Sequence, residues 1–543
     1  MTSSDLEELA SKDRLCVVGR RLASIVAATA MLASMQSAPA QAQDRAAQER
    51  PPRLEAQAGR AVAFDIPVQP LAQALTAFGR QSGLQLAFDP AAAAGKSSVG
   101  VSGTMTPEQA LRQLLGGSGL TYQFTSTSAV TVSGTAGGSG VMQLDPLRIQ
   151  GTAVPSQAMI DNLPPVYAGG QVATGGQLGL LGNRGVMDTP FNQTSYTAKK
   201  AQDQQAKTVR DVLIDDPSVR GYNSDSGFGS NNLRIRGFTV PIGDTAYGGL
   251  YGMLPAFSIM AELAERVEVL KGPSAMLTGI APAGAIGGTI NIVPKRAPDA
   301  PLTQLTADYT SSAQFGGAAD VARRFGPDGQ FGVRFNGVFR AGQTAVEGNS
   351  DQKALAVLGL DFRGERVRLS ADLGYQYQFV GGAIPYLGLA NNVPLPWAPD
   401  ARKNFGQPWG NLSAKDLFGV VRAEFDLTER ITAYAAFGAH DFRLGVLRGG
   451  DPVTITNING NATATPGNLS QYQTNLTGQV GLRALVDTGP IGHEFAFTAT
   501  TFERTIGSAS INTTPYATNI YNPNVIAQPS IPTPAANKAS TSI

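Results

Sequence analysis

Residues 366–379 read RVRLSADLGYQYQF, and in this stretch apolar and polar side chains alternate. Successive side chains of a β-strand point to opposite faces of a sheet, so the pattern predicts a strand with one apolar and one polar face. The apolar face carries Val367, Leu369, Ala371, Leu373, Tyr375, Tyr377 and Phe379. A strand crosses a bilayer in ~9–11 residues, so this stretch is long enough to span one.

The same alternation recurs on both sides, first in FGVRFNGVFR at 331–340. We predict further strands near 303–310, 318–325, 354–362, 417–427, 431–442, 476–486 and 494–504. Short turns such as GPDG at 326 and TGPIG at 488 alternate with longer connections, of which 380–416 and 443–475 are the longest. One rim of short turns and one of long loops is typical of an outer-membrane β-barrel. A soluble β-sandwich also alternates and stays open as the other interpretation.

The composition narrows the class of protein. The 42 basic and 41 acidic residues give a net charge of +1, so no nucleic-acid partner is indicated. A hydrophobic content of 42% argues against disorder. Beyond the N-terminus no apolar run approaches the ~20 residues of a membrane-spanning helix. With 63 glycines in 543 residues, a mainly β protein rich in turns remains.

The N-terminus has the pattern of a secretory signal. Four basic residues precede the apolar stretch 22–35, and small residues follow at Ala38, Ala40 and Ala42. We therefore predict that residues 1–42 are a signal peptide. An amphipathic surface helix is the alternative. The only cysteine, Cys16, lies in this segment, so the mature chain would have no disulfide and no cysteine metal ligand.

Residues 60–135 predict a small α+β domain. Apolar residues at helical spacing mark two helices, and the stripes are Leu71, Ala74, Leu75 and Phe78, then Ala110, Leu111, Leu114 and Leu115. An extended segment at 61–66, LQLAFD at 84–89 and the pair TYQFTS and AVTVSG predict the strands.

Within this domain, FDIPVQPLAQALTAFGRQSGLQLAFD and VSGTMTPEQALRQLLGGSGLTYQ resemble the short N-terminal domain of secretins and signalling TonB-dependent receptors. The resemblance covers 64–132. In the receptors it implies a periplasmic domain that contacts an inner-membrane anti-sigma regulator. A generic small fold of similar pattern is the alternative.

LDPLRIQG at 144–151 follows a glycine- and serine-rich link and resembles a TonB box. Such a segment pairs with TonB as an added strand, and main-chain pairing tolerates many side chains. The residues expected to contact TonB are Leu144, Asp145, Pro146, Leu147, Arg148 and Ile149. An ordinary linker strand is the alternative.

Residues 185–296 carry five segments that together resemble the plug of a TonB-dependent siderophore receptor. They are DTPFNQTSYT at 188–197, VRDVLIDDPSV at 209–219, NNLRIRGF at 231–238, ERVEVLKGPSAMLTG at 265–279 and PAGAIGGTINIVPKR at 282–296. Two glycine-rich stretches inside this region, GFGSNN at 227 and GPSAMLTG at 272, look like phosphate loops. They lack the lysine-serine ending or the strand-to-helix context of that motif, so we discount them.

The expected fold is mainly β: a small α+β periplasmic domain, a plug domain, and the N-terminal part of a transmembrane antiparallel β-barrel at 300–543. A barrel that holds a plug has roughly 22 strands, whereas we count nine. The chain ends in PTPAANKASTSI, where we predict no final strand. We therefore expect a C-terminally truncated receptor.

The residues indicate binding and not catalysis. The mature chain has two histidines, His440 and His493, on separate predicted strands, and no nucleophile-base motif. We predict no enzyme activity, no metal site and no cofactor. The family resemblance implies a ferric siderophore ligand, hydroxamate-like, whose chelator supplies the iron ligands. Candidate siderophore-binding residues in the plug are Arg236, Tyr247, Tyr251 and Met253. The others are Tyr386, Trp397 and Trp409, in the connection 380–416, hereafter the long connection.

Other roles remain open for some of these residues. The aromatic residues of the long connection could instead belong to a membrane-interface girdle. We expect Arg266, Glu268, Lys271 and Lys295 to form salt bridges between plug and barrel.

Three functions follow. The first is an outer-membrane receptor, in contact with membrane lipid, that imports a ferric siderophore with TonB and signals to an anti-sigma factor. The second is a secretin-like channel component, and the third is a truncated receptor remnant that does not transport.

Overall fold

A computed structural model describes residues 62–88, 93, 95–126, 129–134, 162–221, 223, 227–310 and 312–542. The chain divides into two compact units between Arg148 and Ile149. The predicted signal peptide, 1–42, and the predicted TonB box, 144–151, lie outside the described residues. In the described ranges, no helix combines the length and the apolar character that a membrane span requires.

The first unit has the predicted α+β organisation. Its elements are β1 (Val62–Ile66), α1 (Leu71–Ser82), β2 (Gln85–Phe88), β3 (Val101–Met105), α2 (Pro107–Leu114), β4 (Leu120–Ser126) and β5 (Ala129–Gly134). Strands β1 and β3 pair antiparallel, and a second sheet has the order β2-β5-β4. Helix α1 ends at Gly83, whose φ of 70° favours glycine. Helix α2 begins with a capping box between Thr106 and Gln109.

Both predicted helical stripes form the core of this unit. All eight predicted stripe residues are buried, together with Phe64 and Ile66 of β1. The rings of Phe64 and Phe78 stack with their centroids 5.5 Å apart, which fixes helix α1 against the first sheet. The periodicity of the sequence therefore identified this core correctly.

The second unit begins with the plug. Its strands are β6 (Val172–Ala173), β7 (Gly175–Gln177), β8 (Asn183–Gly185), β9 (Asn192–Thr197), β10 (Val219–Gly221), β11 (Leu233–Ile235), β12 (Phe238–Val240), β13 (Ala246–Tyr247), β14 (Leu250–Tyr251), β15 (Ala264–Lys271) and β16 (Gly288–Pro294). Its helices are α3 (Ala198–Asp203), α4 (Val209–Val212) and α5 (Ala275–Thr278). The central mixed sheet has the order β14-β13-β16-β15-β9-β6.

Strand β15 lies in the middle of the plug sheet and is buried on both faces. The sequence RVEVLKG predicts alternating exposure, but Val267, Glu268 and Val269 are each at most 5% exposed. The alternation correctly indicates a strand, and its charged residues are buried as well because β9 and β16 flank the strand while other plug segments and the large sheet cover its faces.

The rest of the second unit is a 12-stranded sheet. Its strands are β17 (Leu302–Thr310), β18 (Gln314–Phe325), β19 (Phe331–Gln343), β20 (Ser350–Arg363), β21 (Val367–Gly381), β22 (Leu387–Leu389), β23 (Asn411–Thr428), β24 (Ile431–Ile455), β25 (Asn461–Thr488), β26 (Ile491–Asn512), β27 (Tyr516–Asn519) and β28 (Asn537–Ser542). The main path runs from β17 to β28 by antiparallel neighbours, while β22 and β27 attach to β24 and β25.

The sheet turns its polar face toward the plug and its apolar face outward. On β19, Phe335 is 42% and Phe339 52% exposed, whereas Asn336 is 4% exposed. On β21, Leu373 is exposed while its neighbour Asp372 is buried. This arrangement is the reverse of a soluble sheet protein and is the one expected where lipid is the outer solvent.

All nine predicted barrel strands are present, but two predictions at their ends were wrong. Residues 443–475 are not a loop, because β24 and β25 continue through them and meet at a short turn at 456–460. Their glycine and proline content favours a loop locally, but a register shift between Gly449 and Val453 absorbs GGDP within the pairing. The C-terminus does contain a strand, β28, which pairs with 503–508 of β26.

Candidate functional site

The plug is joined to the large sheet by charged side chains near the short turns. Arg296 follows β16, and its guanidinium binds the Asp372 carboxylate of β21 with two hydrogen bonds, one of them 2.8 Å long. Arg422 of β23 contacts the same carboxylate at 3.3 Å and donates to the backbone oxygen of Tyr247. Lys295 pairs with Asp320 of β18 at 2.9 Å. These side chains are nearly buried, so they act as paired charges shielded from water.

Only part of the predicted set of plug-to-barrel salt bridges is found. Lys295 makes one, but Lys271 pairs inside the plug with Asp216 at 2.8 Å. Glu268 accepts a hydrogen bond from Asn291 of the plug at 2.9 Å. The bridges that the sequence analysis missed include Arg296–Asp372 and Arg334–Glu265. The plug residues of these two bridges, Arg296 and Glu265, lie in the quoted plug segments, so the sequence could have indicated them. Their partners lie on strands far away in the sequence, which no local pattern connects to them.

Burial and hydrogen bonding set the pKa values of two plug carboxyl groups. Burial raises the pKa of Glu268 to about 7, although hydrogen bonds from Asn291 and the Gln177 backbone act in the other direction. For Asp216, burial also acts to raise the pKa, but hydrogen bonds from Lys271 and Ser218 outweigh it and leave the pKa at about 2. The pKa values of these two plug carboxyl groups are therefore shifted in opposite directions.

Three predicted ligand-binding residues are buried between plug and sheet. Tyr247 is fully buried, with its ring edge-on to Phe418 at 5.8 Å and the Arg422 guanidinium over its face. Tyr251 is 7% exposed, and its hydroxyl bonds Thr278 at 3.1 Å. Met253 has no exposed surface and packs against Gly438 of β24. The large sheet thus covers all three side chains, and their role in siderophore binding stays a prediction.

Arg236 does lie at an exposed position. It occupies the turn between β11 and β12 with a φ of 52°, and its backbone N–H donates to Ser218 at 2.8 Å. Its side chain is exposed, so a ligand could reach the guanidinium. Its predicted role in ligand binding stays a prediction.

The three aromatic candidates of the long connection are spread over it. Trp397 is 87% exposed, whereas the indole N–H of Trp409 donates to the Ile526 carbonyl at 3.0 Å. Tyr386 is 43% exposed and precedes β22. Tyr386 is the one that contacts the plug, because its hydroxyl lies against Gly229. The structure therefore brings together Tyr386 and the plug, and not the full predicted set.

Plug residues 227–229 contact the long connection, which the sequence did not predict. GFGSNN was weighed only as a phosphate loop, yet Phe228 donates from its backbone N–H to the Ile384 carbonyl at 3.2 Å. Its side chain packs against the apolar cluster that includes Val380 of β21 and Leu412 of β23. The glycine-rich composition was a signal, but for close approach of two chain segments instead of anion binding.

His440 belongs to the plug contact and not to a metal site. Its ring nitrogens lie 3.0 Å from the Gly252 carbonyl and 3.0 Å from an Asp416 carboxylate oxygen. Asn475 donates to the same carbonyl at 2.7 Å. Within the ranges that the structure describes, no three His, Cys, Asp or Glu side chains form a group suited to a metal.

A cavity at the plug contact is electrically balanced. It has a volume of about 480 Å³ and lies between the plug and strands β17–β19. Its charged lining residues are Lys207, Lys295, Arg340, Glu262, Asp308 and Asp320. Three positive and three negative groups give no preference for a ligand of either sign.

Comparison with known proteins gives the same domain order. Residues 185–289 match the TonB-dependent Receptor Plug Domain, and residues 84–134 match the Secretin and TonB N terminus short domain. The ferrichrome receptor FcuA of Yersinia enterocolitica is 39% identical over 390 residues, which are 71% of this chain and 50% of that protein. The ferripyoverdine receptor of Pseudomonas aeruginosa is 32% identical over 243 residues, which are 43% of this chain and 28% of that one.

Solved structures agree. BauA, the ferric preacinetobactin receptor from Acinetobacter baumannii, is 37% identical with a TM-score of 0.67, covering 70% of this chain and 57% of BauA. The Pseudomonas aeruginosa ferripyoverdine receptor, 18% identical with a TM-score of 0.60 over 89% of this chain and 62% of that one, shares the fold. The chain spans half or less of the length of these curated relatives. From its plug, its short N-terminal domain and these relatives, the chain belongs to the TonB-dependent receptor family.

Proposed function

We propose that this protein imports a ferric siderophore across the outer membrane, that TonB drives the import through residues 144–149, and that the N-terminal domain reports occupancy to a periplasmic anti-sigma regulator. The family consists of outer-membrane transport receptors and not of enzymes, and its short N-terminal domain is periplasmic. The hydroxamate class of siderophore is proposed because the 39% identical relative is a ferrichrome receptor.

The observation that carries the proposal is the plug seated on the polar inner face of the large sheet. Buried ion pairs at Asp372 and Asp320 hold it there, while the outer face of the same strands is apolar. A polar interior filled by a separate folded segment fits a gated channel, since transport needs a removable obstruction. A separate folded segment of this kind has no role in a barrel that is only structural.

The two other functions have weaker support. A secretin-like channel would share the short domain, but the match to the receptor plug over residues 185–289 argues for a receptor. A remnant that does not transport stays as an outcome of the uptake experiment described next.

The test is uptake of radiolabelled ferrichrome by cells whose other receptors for it are deleted. We expect deletion of 144–149 to abolish uptake and deletion of 60–135 to spare uptake while abolishing induction of the regulated genes. Leu147→Pro should abolish uptake because proline removes a backbone N–H from the added strand, whereas Leu147→Ala should retain it. Uptake that survives deletion of 144–149 contradicts TonB coupling, and no uptake by the unaltered protein favours the remnant.

A further inference from the structure

The plug and the long connection meet directly through backbone atoms. Gly227 forms a parallel bridge with Ile384, and the Phe228 N–H donates to the Ile384 carbonyl at 3.2 Å. The Phe228 side chain packs against an apolar cluster that joins Phe257 of the plug to Val380 of strand β21. The plug segment 227–231 and the start of the connection, 382–389, therefore form one continuous contact.

Gly229 accommodates the end of the Tyr386 side chain. A Cβ atom built on Gly229 would lie 1.6 Å from the Tyr386 hydroxyl oxygen and 2.6 Å from its Cζ. No side chain can occupy that space unless the phenol moves. The glycine thus leaves a socket on the plug that the hydroxyl end of Tyr386 fills.

The backbone of Tyr386 is hydrogen-bonded to strand β24 of the large sheet, while its side chain stays partly exposed. Its N–H donates to an Asp451 carboxylate oxygen at 2.9 Å, and its carbonyl accepts from Val453 at 2.8 Å. The residue is nevertheless 43% exposed. One side chain therefore presents a ring to the outside and a hydroxyl to the plug.

The contact continues into the plug interior. The Asn223 side-chain amide donates to the Ser230 carbonyl at 2.6 Å, next to Gly229. The Asn223 carbonyl accepts a hydrogen bond from the Arg210 guanidinium on helix α4. Val209 and Val212 of that helix are in the plug core. A shift at 229–230 thus has a short path, built of hydrogen bonds, to α4.

We propose that Tyr386 is a positioning residue that couples ligand occupancy at the long connection to the position of the plug. The inference rests on the proposed siderophore function and adds a role for one residue within it. Ligand contact with the exposed ring shifts the phenol, and the hydroxyl in the Gly229 socket passes the shift to the plug. Tyr386 would then act mainly through Gly229 and only weakly through affinity.

The experiment separates affinity from coupling by using two fluorescence signals on the receptor in outer-membrane vesicles, with ferrichrome as the probe. Both tryptophans of the chain, Trp397 and Trp409, lie in the long connection, so their quenching measures ligand binding there. A dye on Ile214→Cys, a 64% exposed position just after α4, measures the plug response. The mature chain is predicted to hold no other cysteine.

We expect Gly229→Ala to keep the ferrichrome Kd within about threefold, since Gly229 is not a proposed ligand contact, and to reduce the dye response about fivefold or more because its Cβ expels the hydroxyl. Tyr386→Phe keeps the ring and removes the hydroxyl, so it should reduce the dye response in the same way. The control is Gly388→Ala in the same connection, where the nearest atom to the new Cβ is 3.7 Å away, and it should respond like the parent.

The outcomes are distinct. A full dye response in both Tyr386→Phe and Gly229→Ala overturns the coupling role and leaves the proposed function intact. A Kd raised in parallel with the loss of response also overturns it, because Tyr386 would then be a ligand contact only. Absence of tryptophan quenching in the parent protein contradicts the hydroxamate proposal itself and the coupling with it.

Discussion

Strands β21 and β23 hold the plug in two different ways at their two ends. Near the short turns the contact is ionic, with Asp372 and Arg422 buried against Arg296 of the plug. Near the long connection it combines a backbone hydrogen bond from Phe228 with an apolar cluster that includes Val380, Leu412 and Phe257, and it has no buried ion pair to the plug among the contacts described above. Buried ion pairs are rigid in direction and costly to break, whereas apolar contacts tolerate sliding. The plug is therefore held by ion pairs at one end and by a more adaptable contact at the long-connection end.

The strongest test of the ionic end is Asp372→Ala. It leaves the buried guanidinium groups of Arg296 and Arg422 without their shared carboxylate, which should lower the free energy of unfolding by about 3–5 kcal/mol. The measurement is urea unfolding of the receptor in detergent. Asp441→Ala is the control, because its pair with Arg443 is largely exposed and is worth about 0–1 kcal/mol. Equal losses in both variants would show that the buried pairs do not lock the plug.

A second test uses Glu268, a buried carboxyl group of the plug. It accepts hydrogen bonds from neutral amides, whereas Asp372 is paired with two arginines. The folded pKa of Glu268, about 7, lies above the ordinary value of 4.5, so the folded state binds the proton more tightly. Stability from this group is therefore full below pH 4.5 and is lost as the pH rises toward 7 and above. We expect roughly 2–3 kcal/mol of loss between pH 5 and 8 that Glu268→Gln abolishes.

Asp203→Asn provides the reference for this pH test. Hydrogen bonds from Gln171 and Lys199 lower the pKa of this exposed carboxyl, so its contribution has the opposite sign and falls as the pH falls. Between pH 5 and pH 8 Asp203 stays ionised in both the folded and the unfolded state, so Asp203→Asn should follow the pH dependence of the parent, and unfolding curves at the two pH values isolate the Glu268 difference. If the free energy of unfolding changes equally with pH in the parent and in Glu268→Gln, Glu268 is not the source of the pH dependence.

A third test measures how closely β21 and β23 pack against the plug midway between the ionic end and the long-connection end. Gly374 of β21 lies under the Phe418 ring, and a Cβ there would be 2.1 Å from a ring atom. Gly374→Ala should therefore cost about 1–3 kcal/mol through overpacking beside Tyr247. Gly419→Ala on the neighbouring strand meets its nearest atom at 3.6 Å and should be close to neutral in the same unfolding assay. A neutral Gly374→Ala would mean that the middle of the contact is as adaptable as the long-connection end.

The smallest effect is expected in the long connection. Trp409→Phe removes the indole hydrogen bond to Ile526 and should cost about 0.5–1.5 kcal/mol, while the exposed Trp397→Phe should cost nearly nothing. Thermal unfolding followed by circular dichroism is sensitive enough for the difference. A larger cost for Trp397→Phe would contradict the view of this end as loosely held.

The sequence predicted local patterns well and distant contacts poorly. Helices and strands repeat with fixed periods that the backbone geometry imposes. The sequence shows the helical period in Leu71 and Phe78 and the strand period in Val367 and Leu373. The burial of Tyr247 depends on Phe418 and Arg422, which are more than 170 residues away, so no local pattern shows it. Such contacts follow from the way the sheet curves around the plug.

The same reason explains the errors at strand ends and at Gly229. Residues 443–475 contain glycine, asparagine and proline, which favour loops, but pairing with neighbouring strands keeps them extended. The role of Gly229 depends on Tyr386, which no spacing rule connects to it. The family resemblance located the plug, but not which of its residues face ligand.

The hairpin of β24 and β25 reaches far from the plug. A strand of 25 residues is roughly 85 Å long, and a tilt of about 45° leaves about 60 Å along the membrane normal. The apolar band of an outer-membrane barrel is only about 25 Å tall. The turn at 456–460 therefore stands well above the lipid, where it is accessible to macromolecules outside the cell. An epitope inserted beside Ile458, which is 53% exposed, should be displayed on intact cells without disturbing the plug.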